Sequence, residues 1–450
     1  MFRTPAARVL LLALGACVES PDPDALGGKF LLTPGENIDT YVTAAWKAPG
    51  AESAHLEFAV DGETQIVSDA VEGEEGVNLP ILGLWFNQEF EVSLVDEAGN
   101  VRATDTYTTG AGPVTLAGFD VTGRPTWNHY VISALLSSDP PSVVMFSPSG
   151  RPTWFWENFG PEFIVRTQPR RDGAGVWVLL MPYSPTGAPG RLLSVAWDGS
   201  LISDVTPYGH EGEGVTHDFV EMENGSILLI GYDTREYEGV EYTGESLYQL
   251  DPDGTERFLW SFWDLYTPDP DNTPDPTNWT HANGLRWHEE RESVWISSRG
   301  YNCLVEVKPE EGKAITVLGG PAPTVDFAEG TVPPYGQHHF DFREDRLLIH
   351  DNRDVMQGSR VVEFTLDFGD RTEAATSWEF VPSPVLYDFV LGDAAYASEE
   401  DMLVTWSTAG LLEQRSFAGE VPWSVSLLLG TVYGYSELVP SVPGTTFVGN

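Results

Sequence analysis

Three histidines occupy the same place in a repeating pattern of the chain. His217, His281 and His338 each begin a strand that is followed by a polar hairpin and a strongly apolar strand, and His129 holds a comparable place. A satisfied buried or surface histidine is the usual interpretation of any one of them. Packing alone gives no reason to choose histidine each time, so the shared position predicts a functional cluster.

Arg299 ends the apolar strand that follows His281, which would bring a permanent cation to the same cluster. The fork of N–H donors on an arginine suits oxyanions, although a surface salt bridge is the alternative in so acidic a chain. An imidazole can attack a sulfuryl or phosphoryl centre and hold it covalently, while other cations stabilise the oxygens and a departing phenolate. The residue types therefore predict transfer of an anionic group, without a cofactor.

A metal site is the rival interpretation of the same histidines. Three imidazoles can bind Zn²⁺ or Cu²⁺, and their spacing along the sequence leaves this alternative open. The Asp-rich segment 269–275 could bind Ca²⁺, but its prolines and its lack of a glycine turn favour a solvated loop. We therefore predict a site without a metal.

The elements that must position these side chains are short strands in a repeating arrangement. An apolar strand, a tight turn and a Trp- or Phe-rich strand recur from about residue 122, at a spacing of roughly 50–60 residues. One such sheet cannot bury both faces alone, so six would close into a ring around a channel. We predict a six-bladed β-propeller over 120–450, in preference to a β-solenoid with its shorter repeats. The turns of the pattern are Phe146–Gly150, Ala196–Gly199, Leu250–Gly254, Val307–Gly312, Leu366–Gly369 and Phe417–Gly419.

Residues 29–112 are typical of a smaller β-domain. Short strands and the turn signals Asp61-Gly62 and Ala98–Asn100 suit an immunoglobulin-like or fibronectin III-like β-sandwich. This segment contains no set of histidines or charged residues that suggests chemistry, so we expect a spacer or docking role. The predicted fold class is all-β.

The first residues have the form of a bacterial lipoprotein leader. Two arginines and a short apolar core precede Leu14–Ala16, and Cys17 follows as the expected site of acylation. An ordinary signal peptide that ends in a cysteine is the alternative. We predict a signal peptide over 1–17, a tether over 18–28, and an exported body anchored by lipid to the outer membrane or the periplasmic face.

The charge of the chain limits its partners. Its 24 basic and 68 acidic side chains give a net charge of −44, and such a surface repels nucleic acid and anionic lipid. If the ligand is nonetheless anionic, the few cations should be concentrated at its site. Cys303 would be the one cysteine left after acylation, and its apolar strand predicts a buried thiol and no intrachain disulfide.

Taken in order along the chain, these motifs resemble those of the bacterial arylsulfotransferase family. The resemblance spans about residues 120–450, and the ordered set is more specific than any one motif. The similar segments are His217-Asp218 for an early histidine motif, Trp279–Gly284 for W-T-H-x-N, Ser297–Arg299 for S-S-R, Gln337-His338 for Q-H, and His350–Asn352 for D-N.

The resemblance implies a six-bladed propeller that moves sulfate from an aryl sulfate donor to a phenolic acceptor without a nucleotide. By the same resemblance His338 is the transiently sulfated nucleophile. The residues expected to bind the sulfuryl oxygens, the leaving phenol or the rest of the substrate are His217, His281, Asn283, Arg299, His339, Asp351 and Asn352. A non-catalytic ligand-binding or scaffold propeller is the alternative, and hydrolysis of the ester with water as acceptor is a third.

The chain departs from the family pattern at three places. His338 is doubled by His339, which leaves the nucleophile uncertain by one residue. Arg353 follows the D-N segment, where the family usually has a small residue, and Tyr433–Tyr435 stands in place of a closing Y-R-A segment. These differences bear on substrate preference.

Overall fold

A computed structural model describes residues 22–74, 76–182, 189–209, 212–269, 275–368, 372–428 and 430–449. The predicted signal peptide, the lipidated Cys17 and most of the Asp-rich segment lie outside these ranges and stay predictions. Strands dominate, and the helical segments in the described part are short 3-10 turns. None of the helices described is long and apolar enough to cross a membrane. The predicted all-β class is confirmed.

The strands are numbered in chain order. They are β1 (Phe30–Pro34), β2 (Val42–Trp46), β3 (Ser53–Val60), β4 (Glu63–Ser68), β5 (Val71–Glu72), β6 (Val77–Ile81), β7 (Glu89–Asp96), β8 (Val101–Thr108), β9 (Asp120–Gly123), β10 (Tyr130–Leu135), β11 (Ser142–Phe146), β12 (Pro152–Glu157), β13 (Glu162–Pro169), β14 (Gly175–Pro182), β15 (Arg191–Ala196), β16 (Leu201–Val205), β17 (Val215–Glu221), β18 (Ile227–Tyr237), β19 (Val240–Leu250), β20 (Glu256–Ser261), β21 (Ala282–His288), β22 (Ser293–Ser298), β23 (Cys303–Lys308), β24 (Lys313–Gly319), β25 (Asp326–Phe327), β26 (Phe340–Arg343), β27 (Arg346–Asp351), β28 (Arg360–Asp367), β29 (Glu373–Phe380), β30 (Asp393–Tyr396), β31 (Asp401–Trp406), β32 (Leu411–Ser416), β33 (Trp423–Ser426), β34 (Tyr433–Val439) and β35 (Thr445–Phe447). The 3-10 helices cover Pro23–Leu26, Val114–Gly118, Phe262–Asp264, Pro276–Asn278 and Glu289–Arg291.

Two small sheets share one core in the N-terminal part of the chain. Their strand orders are β1-β2-β6 and β35-β4-β3-β7-β8, with β5 paired to β3. Trp46, Phe58 and Phe90 are buried in the hydrophobic cluster that both sheets contribute to. Along β3 buried and less buried residues alternate, as expected for a strand with one face on a core. An immunoglobulin-like arrangement over 29–112 stays a prediction.

Six further sheets follow in the described residues from 120 onwards. Their strand orders are β12-β11-β10-β34, β13-β14-β15-β16, β17-β18-β19-β20, β21-β22-β23-β24, β25-β29-β28-β27-β26 and β30-β31-β32-β33-β9. One strand of each sheet contacts its counterpart in the next, because β13 touches β17, β17 touches β21, β21 touches β26 and β26 touches β30. β34 touches both β30 and β13, so these contacts return to the sheet from which they began. The six strands that make them are the inner strands β34, β13, β17, β21, β26 and β30.

The strands next to the inner strands are buried on both faces. In β10 and β22 every residue is buried, and β27 is buried beyond its first residue. Neighbouring sheets cover both sides of such a strand, so its sequence becomes a nearly continuous apolar run rather than an alternating one. The third strand of each sheet, which leads into the tight turn of the sequence pattern, is similarly buried in β11 and in β23 up to its last residue.

The two ends of the chain cross between sheets. β9 joins the sheet of β33, and β34 completes the sheet of β10. β35 then pairs with β4, where Phe447 is buried in the N-terminal cluster and Thr445 Oγ1 donates to the Leu82 carbonyl at 2.9 Å. The last strand therefore belongs to the N-terminal sheets, which differs from the expected boundary of 120–450. A three-residue strand that pairs with a distant partner carries no repeat signal in the sequence.

Candidate active site

Three of the predicted histidines lie together at the ends of neighbouring inner strands. The ring centroids of His217 and His281 are 5.3 Å apart, and those of His281 and His338 are 6.5 Å apart. His217 and His281 have left-handed backbone conformations, with φ of 54° and 46°. His217 lies within a register shift of β17, and another follows His281 in β21. Such irregularities re-aim a side chain at the end of a strand and recur at functional sites.

Arg299 joins this histidine cluster. Its backbone N–H donates to the His281 carbonyl at 3.0 Å, and Nη2 donates to the Phe389 carbonyl at 3.2 Å. The positive charge disfavours further protonation of the neighbouring rings. Burial and the charge of Arg299 together hold the pKa of His338 well below its usual range. The cluster thus keeps His338 neutral near pH 7.

The same effects act on the two partly exposed histidines. Burial lowers the pKa of His217 to about 4, with Arg299 adding to the effect and Asp218 opposing it. Burial, His217 and Arg299 lower the pKa of His281 to about 3. Neutral imidazoles beside one guanidinium form a site with a single fixed positive charge that is open to an anionic group.

Asn352 fixes the proton on the His338 ring. Its Nδ2 donates to the carbonyls of Asp388 and Leu391 at 2.9 and 2.7 Å, so the amide nitrogen is used on that side. The amide oxygen then faces His338 Nδ1 at 2.8 Å, and it can only accept. His338 therefore carries its proton on Nδ1, which leaves the lone pair of Nε2 available as a nucleophile.

The segment around His338 is held by amide side chains. Gln337 Nε2 donates to the carbonyls of Ser298 and Cys303 at 3.0 and 3.1 Å. Asn283 Nδ2 donates to the Gln337 carbonyl at 2.9 Å. Asn283 is fully buried, so its observed role is to hold the backbone next to His338. Cys303 is a buried free cysteine, as the sequence predicted.

Two predicted substrate-binding residues lie away from the open side of the cluster. His339 is fully buried, with Nδ1 2.5 Å from Asp393 Oδ1 and Nε2 3.2 Å from Asp218 Oδ2. Asp351 is also fully buried, where it accepts from Arg360 Nε and from the Tyr335 N–H, each at 2.8 Å. The structure thus places both in internal networks, and His129 lies against Trp127 instead of joining the cluster.

A largely buried ionic network, which the sequence analysis missed, links the six inner strands. Each of the six sheets from residue 120 onwards supplies one ionisable side chain to this network, from its inner strand or from the residue just before it. Two of these side chains are arginines, one is a histidine and three are carboxylates. The members of this axial network are Arg166, Asp218, Arg286, His339, Asp393 and Glu437.

The contacts of the axial network keep its carboxylates ionised. Arg166 Nε lies 3.0 Å from Asp218 Oδ1, and Arg286 Nη1 lies 2.8 Å from Glu437 Oε1, which also pairs with Arg166. Burial alone would raise the pKa of Asp393, but His339, Arg286 and Arg166 bring it down to about 2.

Both ring nitrogens of His339 face carboxylates of this kind. Burial is likewise overcome at Asp218, whose pKa is held below its usual value by Arg166, His339 and Arg286. His339 Nδ1 also lies 3.3 Å from Arg286 Nη2, so the ring is held by acidic and basic neighbours within the network. The network could have been sought in the sequence as charged residues inside otherwise apolar inner strands.

A cavity of about 660 Å³, here called the mouth cavity, lies beside the histidine cluster at His281. Of the histidine cluster and Arg299, the residues that line this cavity are His281 and Arg299. Tyr266 and Tyr301 stack with centroids 4.4 Å apart, and Trp279 meets Tyr301 edge-on at 5.6 Å. The full lining is Leu265, Tyr266, Thr267, Asp269, Asp275, Asn278, Trp279, His281, Arg299, Gly300, Tyr301 and Pro321. This size and this aromatic wall suit one substituted aromatic ring.

The metal alternative was searched within the described ranges. No group of three or more His, Cys, Asp or Glu side chains there has an arrangement that could hold a metal ion. Residues 270–274 of the candidate calcium loop lie outside those ranges.

Comparison with known proteins gives one family. The family model described as Arylsulfotransferase (ASST) matches residues 194–424, just over half of the chain, and this span contains the histidine cluster, Arg299 and Asn352. No curated protein matches the chain.

Solved structures show only distant similarity. An auxiliary nutrient binding protein from Bacteroides ovatus ATCC 8483 is 11% identical, with 90% of this chain and 89% of that chain covered and a TM-score of 0.40. A streptogramin B lyase is 14% identical, with 72% and 100% covered and a TM-score of 0.38. A luciferin-regenerating enzyme is also 14% identical, with 71% and 98% covered and a TM-score of 0.37. Similarity at this level assigns no activity.

Proposed function

Because this chain belongs to the arylsulfotransferase family, we propose that it transfers a sulfuryl group from an aryl sulfate to a phenol, with His338 as the covalent carrier. The observation that carries this proposal is the hydrogen bond between His338 Nδ1 and Asn352 Oδ1. It supports a neutral imidazole whose Nε2 lone pair is free to attack. His339 lacks this property, because both its ring nitrogens face carboxylates.

The first half-reaction sulfates the histidine. The Nε2 lone pair of His338 forms a bond to sulfur while the bond from sulfur to the aryl oxygen breaks, and the phenolate leaves with that electron pair. Asn352 Oδ1 accepts from Nδ1–H and so stabilises the positive charge that develops on the ring. Arg299 and the N–H groups of His217 and His281 bind the sulfuryl oxygens.

The second half-reaction returns the sulfuryl group to a phenol. The acceptor oxygen forms a bond to sulfur, the bond from sulfur to Nε2 breaks, and His338 recovers its lone pair. The acceptor proton passes to a neighbouring imidazole and then to solvent. Although the pKa of His281 is only about 3 in the free site because of burial, His217 and Arg299, the bound anionic group offsets the charge of Arg299 and raises the basicity of the ring.

We further propose that the six sheets are the blades of a β-propeller and that the N-terminal pair of sheets is an immunoglobulin-like sandwich. The contacts between consecutive inner strands, and their return through β34, support the first part. A ring of this kind explains how residues as far apart as His217 and His338 meet at one end of the inner strands.

The carrier role is tested by trapping the intermediate. The protein is incubated with 4-nitrophenyl sulfate and no acceptor, quenched at alkaline pH, and mapped by mass spectrometry. We expect one sulfo group on His338 and a burst of 4-nitrophenolate, both lost in His338→Ala. His55→Ala, in β3 of the N-terminal sheets, is the matched control and should retain both.

Three outcomes would contradict the proposal or redirect it. An adduct on His339 or His217, or full turnover in His338→Ala, would move the carrier elsewhere. Steady release of 4-nitrophenolate without any acceptor would indicate hydrolysis. No adduct and no release from the unmodified protein would support a non-catalytic ligand-binding propeller.

A further inference from the structure

A short chain of hydrogen bonds reaches the Nδ1 atom of His217. The Tyr232 hydroxyl donates to Thr216 Oγ1 at 3.0 Å, and Thr216 Oγ1 lies 2.6 Å from His217 Nδ1. Thr216 is fully buried, whereas Tyr232 and His217 are partly buried. The chain of hydroxyls therefore leads from β18 through β17 to the histidine cluster.

The direction of these hydrogen bonds follows from the groups available. Burial raises the pKa of Tyr232, although its hydrogen bond to Thr216 opposes the shift, so the phenol keeps the proton that it donates. The single hydroxyl hydrogen of Thr216 can go to His217 Nδ1 or to Met181 Sδ, which is 3.7 Å away. A thioether sulfur is a weak acceptor, and this one already accepts the backbone N–H of His217 at 3.3 Å. The imidazole nitrogen therefore receives the hydrogen of Thr216.

A nitrogen that accepts in this way carries no proton in a neutral imidazole. Burial lowers the pKa of His217 to about 4, so the ring is neutral near pH 7 and its one N–H is at Nε2. His338 has the opposite arrangement, because Asn352 holds its proton on Nδ1. One ring thus offers a donor at Nε2 and the other a lone pair, which suits attack on sulfur by one and donation to a sulfuryl oxygen by the other.

We propose that Thr216 and Tyr232 are positioning residues that hold His217 as the Nε2–H tautomer, ready to donate to an oxygen of the sulfuryl group. This inference rests on the proposed function, because it explains how one of the oxyanion-binding groups is prepared. The Tyr232 hydroxyl polarises that of Thr216 and so strengthens its bond to Nδ1. Neither hydroxyl makes or breaks a covalent bond in the transfer.

The tautomer is tested directly by NMR on protein labelled with ¹⁵N at histidine. The signals of His217 are identified as those lost in His217→Ala. Near pH 7 we expect a protonated Nε2 and an unprotonated Nδ1 for His217, and the reverse for His338. In Thr216→Val, which replaces the hydroxyl by a methyl group of similar size, both tautomers of His217 should be populated. Thr216→Ser should restore the original pattern.

Kinetics with 4-nitrophenyl sulfate and phenol separates positioning from structural support. We expect Thr216→Val to lower kcat about 10- to 100-fold with little change in KM, and Thr216→Ser to recover most of the rate. Tyr232→Phe should cost less, because Thr216 can still donate to Nδ1. His217→Ala removes the whole donor and should cost roughly 10²–10³-fold. Thr216→Val should cause no further loss in the His217→Ala background, because no ring is left to position.

Thr316→Val is the matched control for the loss of a buried hydroxyl. Thr316 Oγ1 donates to Glu306 Oε2 in β24, the outer strand of its sheet. This variant should keep both the rate and the NMR signals of His217. Thermal melts check that each variant is folded.

The outcomes separate this inference from the proposed function. A proton on Nδ1 of His217 in the unmodified protein would overturn the inference, and so would an unchanged tautomer and rate in a folded Thr216→Val protein. A further loss from Thr216→Val in the His217→Ala background would also overturn it, because the effect would not pass through the ring. If no adduct forms on His338 and no phenol is sulfated, the proposed function fails, while the NMR spectra still report the tautomer of His217.

Discussion

At the scale of single residues, the state of His338 depends on an amide that never needs to touch the substrate. The amide nitrogen of Asn352 donates to two backbone carbonyls, so the amide oxygen faces the imidazole of His338. A carboxylate at the same place would still accept from Nδ1, but it would also attract a proton to the ring. Replacing the amide by a carboxylate therefore keeps the hydrogen bond that orients the His338 ring but changes the charge beside it.

We expect Asn352→Asp to move the acid limb of the pH profile of kcat/KM upwards by about 1–3 pH units. The protonated ring has no lone pair, so activity should fall as the pH drops through the raised pKa of His338. The unmodified protein, whose burial and Arg299 keep that pKa low, should stay active to lower pH.

Steady-state kinetics from pH 4 to 9 measures this shift, and circular dichroism checks that the variant is folded. Asn224→Asp, in a turn where Asn224 Oδ1 caps the Ser226 N–H at 3.0 Å, should leave the profile in place. An unchanged acid limb in a folded Asn352→Asp protein would show that residue 352 does not act through Nδ1.

At the scale of elements, the tryptophans of the sequence pattern have a specific task. Trp154 Nε1 donates to the Trp197 carbonyl at 2.8 Å, Trp378 Nε1 to the Phe417 carbonyl at 2.9 Å, and Trp423 Nε1 to the Gly150 carbonyl at 3.2 Å. Each bond joins the outer part of one sheet to a turn of the next. The turn and the tryptophan recur together because each provides half of a contact between sheets.

We expect Trp154→Phe to destabilise the protein by about 1–3 kcal/mol, since the Trp197 carbonyl is left without its donor in a buried place. Trp287→Phe is the matched control, because Trp287 Nε1 donates to Glu289 Oε2 at the surface. The melting temperature should fall clearly in the first variant and little in the second. Equal shifts would mean that the loss of ring volume, and not the bond between sheets, sets the effect.

The same elements show what sequence reasoning reached and what it missed. The all-β class, the position of the strands and the meeting of His217, His281, His338 and Arg299 followed from repeated local patterns. The different environments of His338 and His339 did not, although successive residues of an extended chain point in opposite directions. The axial network was not predicted either, because Arg166 and Glu437 are far apart in sequence and meet only where β13 lies beside β34.

At the scale of the whole molecule, the C-terminal strand ties the later sheets to the N-terminal ones. β35 adds to the edge of β4, and Arg124 Nη2 donates to the Gly449 carbonyl at 2.7 Å. Phe447 fills part of the N-terminal cluster, and the guanidinium carbon of Arg124 lies 5.6 Å from the centroid of its ring. This strand therefore contributes to both parts of the structure.

We expect a chain that ends at Val442 to melt at a lower temperature and to be cleaved faster between β8 and β9 than the full chain. Removal of β35 exposes the edge of β4 and opens the cluster around Phe447. Phe447→Leu, which keeps the backbone pairing, should have a smaller effect. Thermal melts and limited proteolysis compare the three proteins, and identical behaviour would show that β35 is dispensable.

The axial network and the mouth cavity bear on how substrates could reach the histidine cluster. The six members of the network, most of them buried, are linked from inner strand to inner strand by ion pairs. In the described part of the chain, His281 and Arg299 line the mouth cavity beside Tyr301 and Trp279. If the donor and the acceptor phenol both bind against this aromatic wall, the first phenol has to leave before the second one binds. In the proposed reaction, the sulfo group on His338 would persist between these two binding events.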